Sequence, residues 1–124
     1  MEMKEWVNKL RCLSPEQLVQ AHFGLQEKIK KHYKLRAKGN NLEKAKQLCE
    51  QMVAMAELVY PAMKAIHEKK ASEYRRLTGQ ESPDRFYPPT HYGYKQLIVI
   101  MKNEKNLNRV AELEAKRSAE GWRS

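Results

Sequence analysis

Residues 42–79 read LEKAKQLCEQMVAMAELVYPAMKAIHEKKASEYRRLTG. In this stretch Ala45, Leu48, Cys49, Met52, Ala56, Val59, Met63, Ile66, Tyr74 and Leu77 share one face when each residue turns about 100°, the angular step of an α-helix. A half-buried strand would alternate with period two, and no part of the segment does so. The stretch is therefore read as helical, with one long buried stripe. Pro61 interrupts the run without shifting its phase, because it projects from the opposite, solvent side. The expectation is one long helix bent before Pro61, or two helices nearly in line. Thr78-Gly79 supplies the stop, since glycine adopts the left-handed conformation that ends a helix.

On the N-terminal side, Trp6, Val7, Leu10 and Leu13 recur at helical spacing and predict a short amphipathic helix over 1–13. Ser14-Pro15-Glu16-Gln17 then starts a new helix. Ser14 can accept from a free backbone amide, Pro15 suits the first helical position, and Gln17 completes a capping box. Leu18, His22, Phe23, Leu25, Ile29, His32 and Tyr33 mark its inner face, and Gly39 is the expected left-handed stop. Residues 15–56 thus form a first helical hairpin, and 57–79 continue its second arm. From Gln80 to Thr90 periodicity gives way to Ser82-Pro83, Pro88-Pro89 and Thr90, the punctuation of a connection. Helical spacing resumes near His91 with Tyr94, Leu97, Ile98 and Met101. After a break at 103–106 it continues through Leu107, Val110, Ala111 and Leu113 to Gly121. Residues 91–121 are a second hairpin, and the fold class is all-α, about five helices in one domain over 1–124.

The chain has 124 residues, 41% apolar and 31% charged, enough for one core without metal or disulfide staples. The longest apolar run, Leu97–Met101, is far short of the ~20 residues that a membrane-spanning helix needs. The opening Met-Glu-Met-Lys-Glu-Trp has no apolar signal-peptide core. The expectation is a cytoplasmic protein with no membrane partner. Cys12 and Cys49 lie at apolar spacing, and neither has a Cys or His placed as a zinc motif requires, so both are read as reduced, buried thiols.

Basic residues exceed acidic ones, 24 against 15. Between Glu27 and Lys46 the ratio is eight to two, and this is the strongest electrostatic feature. A concentrated positive field steers anionic molecules over roughly a Debye length, ~8–10 Å. Nucleic acid and an acidic protein surface both meet that condition.

Asn41-Leu42-Glu43-Lys44-Ala45-Lys46-Gln47-Leu48 aligns with Asn106-Leu107-Asn108-Arg109-Val110-Ala111-Glu112-Leu113 at a constant offset, 41 to 106. Each follows an apolar helix and a basic turn. This helix, turn and second helix resembles the tetratricopeptide (TPR) repeat, most closely over 93–121 and less closely over 15–56. Tyr94, Leu97 and Met101 stand at the bulky positions of its first helix, and Val110 at the usual Ala. Ile98 replaces a small residue, Trp122 replaces the closing Pro, and Val99 stands where a carboxylate-clamping Asn would be. The resemblance implies a non-catalytic, cofactor-free scaffold that binds a protein surface.

Three surfaces and one chemistry compete for function. Lys30, Lys31, Lys34 and Lys38 line the outer side of the second helix, where each can meet a phosphate. Arg36 falls near the apolar face and either snorkels or awaits an anionic partner. The loop residues Phe86, Tyr87, His91 and Tyr92 concentrate rings of the kind that anchor interfaces, or else pin the connection onto the domain. A homodimer packed through the Trp6 helix or through Met52, Met55 and Met63 is a further candidate. His22, His32, His67 and His91 lack acidic partners at metal-ligating spacing, and the glycines lie scattered rather than in a phosphate loop, so enzyme chemistry ranks third. Docking of another protein is the leading expectation, and a nucleic-acid accessory role is the alternative.

Overall fold

The computed structural model describes residues 2–124, which form six helices: α1 (Met3–Leu10), α2 (Pro15–Lys34), α3 (Asn41–Ala54), α4 (Ala56–Thr78), α5 (Tyr92–Asn103) and α6 (Leu107–Glu120). Met1, at the start of the helix expected over 1–13, lies outside the described residues. No named strand occurs among the described residues; a single bridge joins Thr90 to Arg123. None of the described helices is long and apolar enough to cross a membrane.

The local start and stop signals act as physics requires. Ser14 accepts from the Gln17 amide while the Gln17 side chain accepts from the Ser14 amide, a complete capping box with Pro15 at the first position. Gly79 and Gly121 close α4 and α6 with φ of 71° and 91°, conformations that an L side chain resists. α2 ends at Lys34, before the expected stop. Short-range bonds from Leu35, Arg36 and Lys38 carry the chain through a turn to Gly39, whose φ is 52°.

The long stripe divides at Met55 rather than next to Pro61. Met55 has φ −89° and ψ −1°, and α4 starts at Ala56 and runs through Pro61, which is exposed. A proline lacks the amide its turn would use and crowds the carbonyl four residues earlier, so the helix adjusts upstream of it. This break is why six helices stand where about five were expected.

α3 is the central element. It packs between α2 and α5, α1 lies against it, α4 continues along α2, and α6 closes on α5. Ile29, Cys49, Met52, Met55, Val59, Tyr94, Leu97 and Leu113 are fully enclosed in the core. The expected stripe holds as far as Val59, with Met63 and Ile66 half-buried, and then fails: Tyr74 is 38% and Leu77 is 74% exposed. Its period continues, but α2 begins at Pro15 and has nothing to set against the last turns of α4. Phe23 and Cys12 are also exposed, contrary to the expected inner face and buried thiol, whereas Cys49 is buried.

The approach of α5 to α3 depends on a missing side chain. A Cβ at Gly93 would stand 2.9 Å from Met52 Cβ and 2.9 Å from His91 Cε1. The first of these atoms is fixed to the α3 backbone, so a methyl group forces the helices apart. At Gly24, in the middle of α2, an added Cβ would meet nothing within 4 Å. Gly93→Ala is expected to lower unfolding free energy by roughly 1–3 kcal/mol through overpacking. Gly24→Ala is expected to raise it by about 0.5–1 kcal/mol through helix propensity. Urea denaturation of the two variants checks both signs.

Candidate functional site

A groove of about 760 Å³ opens where α1, α2 and α3 meet. Lys28 and Lys31 come from α2 and Lys44 from α3, while Leu48 and Met3 supply apolar lining and Gln47 and Gln51 add amides. Lys28 and Lys31 are three residues apart, about 60° on the helix, so they overhang one side together. Lys44 sits on the opposite wall. None of these three lysines makes an ion pair among the described residues. Glu50, the one acid in the lining, is already engaged: Arg109 Nη2 donates to both of its carboxylate oxygens, at 2.8 and 3.1 Å. The groove therefore carries an uncompensated positive rim over an apolar patch.

His32 completes the lining and is held in one orientation. Asn41 Nδ2 donates to the Lys38 carbonyl at 2.8 Å, which turns Asn41 Oδ1 toward His32 Nδ1, also at 2.8 Å. A carbonyl oxygen only accepts, so Nδ1 carries the hydrogen. The α2–α3 turn is thus locked beside the groove.

The structure divides the expected basic face. Lys31 belongs to the groove, but Lys30 lies about 100° further round the helix, where its ammonium sits 5.3 Å from the centre of the Tyr92 ring and 3.8 Å from Glu27. Docking of α5 on that side separates the two neighbours. Lys34 and Lys38 are exposed at and beyond the end of α2. Arg36 folds back, its guanidinium 4.5 Å from the centre of the Tyr33 ring and its Nη1 donating to the Tyr33 carbonyl at 3.1 Å. It borders a hollow of about 330 Å³ with Leu42, Ile100 and Glu104.

The aromatic loop is not one surface either. Phe86 packs edge-on against Tyr60 and tilts over His67, so it pins the loop to α4. His91, expected at a binding surface, is fully buried: its Nδ1 accepts from the Tyr94 amide at 3.1 Å and caps α5. A cap that faces the core cannot reach a partner. Tyr92 is half-buried beneath Lys30, and Tyr87 alone of the four is open, at 75% exposure.

His91 joins a cluster that the sequence did not reveal. Its ring stands 5.0 Å from His22 and 4.7 Å from Trp122, whose indole also meets Tyr60 at 5.3 Å. Trp122 returns from beyond α6, and a tail that far along the chain leaves no periodic signal. Because His91 Nδ1 accepts, Nε2 carries the hydrogen, and it finds no hydrogen-bond partner. His22 Nδ1 is likewise unpartnered. Burial pushes the His22 pKa down to about 4, and burial with the nearby His22 and Lys116 charges pushes His91 down to about 3.

A second, partly buried network ties the C-terminal helices to α3. Tyr94 Oη donates to Glu120 Oε1 at 2.6 Å, Lys116 Nζ reaches Glu120 Oε2 at 2.6 Å and the Val53 carbonyl at 3.3 Å, and Trp122 Nε1 donates to Glu120 at 3.2 Å. Burial and the Glu120 carboxylate hold the Tyr94 phenol well above its ordinary pKa. Burial pushes the Cys49 thiol up to about 12, so it remains protonated. Among the described residues no three His, Cys, Asp or Glu side chains come together in a way that could hold a metal. No family model, curated protein or solved structure matches the chain.

The buried histidines make stability pH-dependent with a fixed sign. Unfolded, each titrates near 6.5; folded, both stay neutral well below that. Their contribution is complete above the unfolded pKa and is lost as pH falls from about 6.5 toward the folded values. Unfolding free energy is expected to drop by about 3–4 kcal/mol between pH 7 and pH 5, as the unfolded chain takes up two protons that the folded one does not. His91→Asn keeps a capping side chain and removes one of the two protons. Urea titrations at pH 7, 6 and 5 are expected to show about half the wild-type loss in that variant.

Proposed function

We propose that the chain is a non-enzymatic, TPR-like helical module that docks an acidic segment of another protein in the groove between α1, α2 and α3. The observation that carries this reading is the convergence of Lys28, Lys31 and Lys44 over Leu48, with Glu50 already neutralised by Arg109. An ion pair at a partly shielded groove contributes more than one in open solvent, and an apolar contact beneath it adds affinity that salt does not screen. A segment alternating carboxylates with a leucine or phenylalanine satisfies both walls.

The hairpin arrangement supports the same reading. α2 with α3 and α5 with α6 are two antiparallel pairs, and α3 lies between α2 and α5, as neighbouring hairpins do in a stacked array. The groups with most chemical potential argue for a scaffold too. Cys49 is held protonated, His22 and His91 are enclosed and neutral, and Tyr94 is kept from ionising. General acid–base work needs groups that titrate near the working pH and reach a substrate.

A nucleic-acid role is the second reading, favoured by the net charge of +9 and by the exposed Lys34 and Lys38. Phosphate contacts alone give affinity that falls steeply with salt. The two readings separate in one titration of the intact protein. The probes are a labelled acidic peptide with interspersed leucines, single-stranded and duplex DNA, and RNA, each at low and near-physiological salt. Peptide binding is expected to persist at the higher salt and to weaken about tenfold or more in K28Q/K31Q/K44Q, equivalent to about 1.4 kcal/mol. K30Q/K34Q/K38Q is expected to leave it within about twofold. Nucleic-acid binding that survives physiological salt would put the second reading first.

A further inference from the structure

The C-terminal half of α4 meets its own chain only at its edges among the described residues, through His67, Lys69 and Arg75, and leaves one face open. α2 runs antiparallel to the α3–α4 succession, as shown by His32 beside Asn41 of α3 at one end and Glu16 beside Lys69 of α4 at the other. α2 starts at Pro15, and beyond that level α4 continues to Thr78. The last 12 residues of α4, from His67 to Thr78, span about 18 Å, and Lys69 near their start still reaches back to Glu16 of α2. The stripe that is buried at Val59 and Ala62 continues through the half-buried Ile66, just before this stretch, to Lys70, Glu73 and Leu77 within it, with Tyr74 at its edge. The loop does not cover it: Phe86 lies over His67 to one side, and Glu81 reaches Arg75 on the back of the helix.

We infer that this overhang is the interface through which two copies of the chain associate, each α4 lying antiparallel to the other. Charge complementarity points to a second copy. When the two stripes are set antiparallel so that Ile66 of each copy meets Leu77 of the other, Lys70 of each falls opposite Glu73 of the other. Both ion pairs arise from one two-fold axis between Ala71 and Ser72, so the surface is complementary to itself, as a two-fold interface requires. Neither Lys70 nor Glu73 makes an ion pair within the chain among the described residues. A parallel pairing in register would instead oppose Lys70 to Lys70 and Glu73 to Glu73.

The polarity of the helices agrees. The incoming α4 runs parallel to α2 and brings its C-terminal end to the start of α2. The partial negative charge of a helix C-terminus then faces the partial positive charge at Pro15. The partner's helix occupies the place a longer α2 would have filled. Three turns bury less than a standard protein interface, so the association is of the weak, concentration-dependent kind.

Sedimentation velocity of the full chain over about 5–500 μM is the test, with helicity by circular dichroism as the control for folding. Leu77 is exposed, so L77D removes the apolar end contact without disturbing the core. The wild type is expected to move from monomer to dimer across this range. L77D, K70E and E73K are each expected to weaken the dimer about fivefold or more, and K70E/E73K to restore it to within about twofold of wild type. A wild type that stays monomeric at 500 μM would overturn the inference. A dimer indifferent to the single charge reversals, or not restored by the double one, would place the interface elsewhere and overturn it equally.

Discussion

The contact between Gly93 and Met52 sets how α5 lies on α3, and much of the C-terminal half follows from it. With no Cβ at 93, the first turn of α5 comes within van der Waals distance of the α3 backbone and sets His91 and Tyr94 deep between the hairpins. Tyr94 can then reach Glu120, and Lys116 can reach both Glu120 and the Val53 carbonyl. A few tenths of an ångström of separation would disturb the bonds that cross between helices, Tyr94 to Glu120 and Lys116 to the Val53 carbonyl, while Lys116 to Glu120 lies within α6. Hydrogen bonds of this kind tolerate little stretching, and an unmatched buried group costs about 1–3 kcal/mol. The polar clasp is thus a consequence of close helix packing rather than its cause.

The same packing explains why two imidazole nitrogens are left without partners. His91 is used as a helix cap, a task for its Nδ1 alone, and its other nitrogen is carried into the core between His22 and Trp122. The ring stacking around it recovers part of the penalty, since aromatic pairs in edge-on geometry contribute ~0.5–1.5 kcal/mol beyond area burial. Trp122 closes the cluster from the tail, where the Arg123 amide bonds to the Pro89 carbonyl. The long connection and the last residues therefore hold each other against the body. Phe86 against Tyr60 and His67 adds a second anchor.

What the sequence made legible is what local physics decides. Ser14-Pro15-Gln17, Gly79 and Gly121 act within a turn of themselves, and the 3.6-residue period is printed along each helix whatever lies opposite. The errors share one origin. Tyr74 and Leu77 keep the period of Val59, yet their burial depends on where α2 begins, a fact written sixty residues away. Lys30 and Lys31 look equivalent in a run of basic residues, yet Lys30 meets Tyr92 of α5 while Lys31 faces the groove that α2 shares with α1 and α3. His91 reads as a loop aromatic because neither its capping role nor the return of Trp122 has a periodic signature. The groove was half visible: Lys28 and Lys44 lie within the basic stretch, but only the crossing of α2 and α3 joins them to Lys31.

The tightest charge pairs of the molecule join α3 to the second hairpin or brace α6. Lys46 bonds to Glu104, Arg109 to Glu50 and Lys116 to Glu120, all between 2.6 and 2.8 Å, and the first two stitch α3 to the second hairpin. The Glu104 carboxylate raises the Lys46 pKa through that bond, as a partner at contact distance should. Against this background, Lys28, Lys31 and Lys44 stand together with the one acid of the groove lining already taken, and Lys70 and Glu73 stand on an overhang with no ion-pair partner among the described residues. Lone solvated charges cost a protein nothing, so a single example carries no meaning. Two sets that each converge beside an apolar side chain left half-buried, as Leu48 is, or exposed, as Leu77 is, are different, because such a side chain gains when something arrives to cover it. The two sets also differ in sign: the unpaired charges of the groove are all positive, which suits the acidic segment proposed for it, whereas the overhang carries both signs in an order that matches its own reversal.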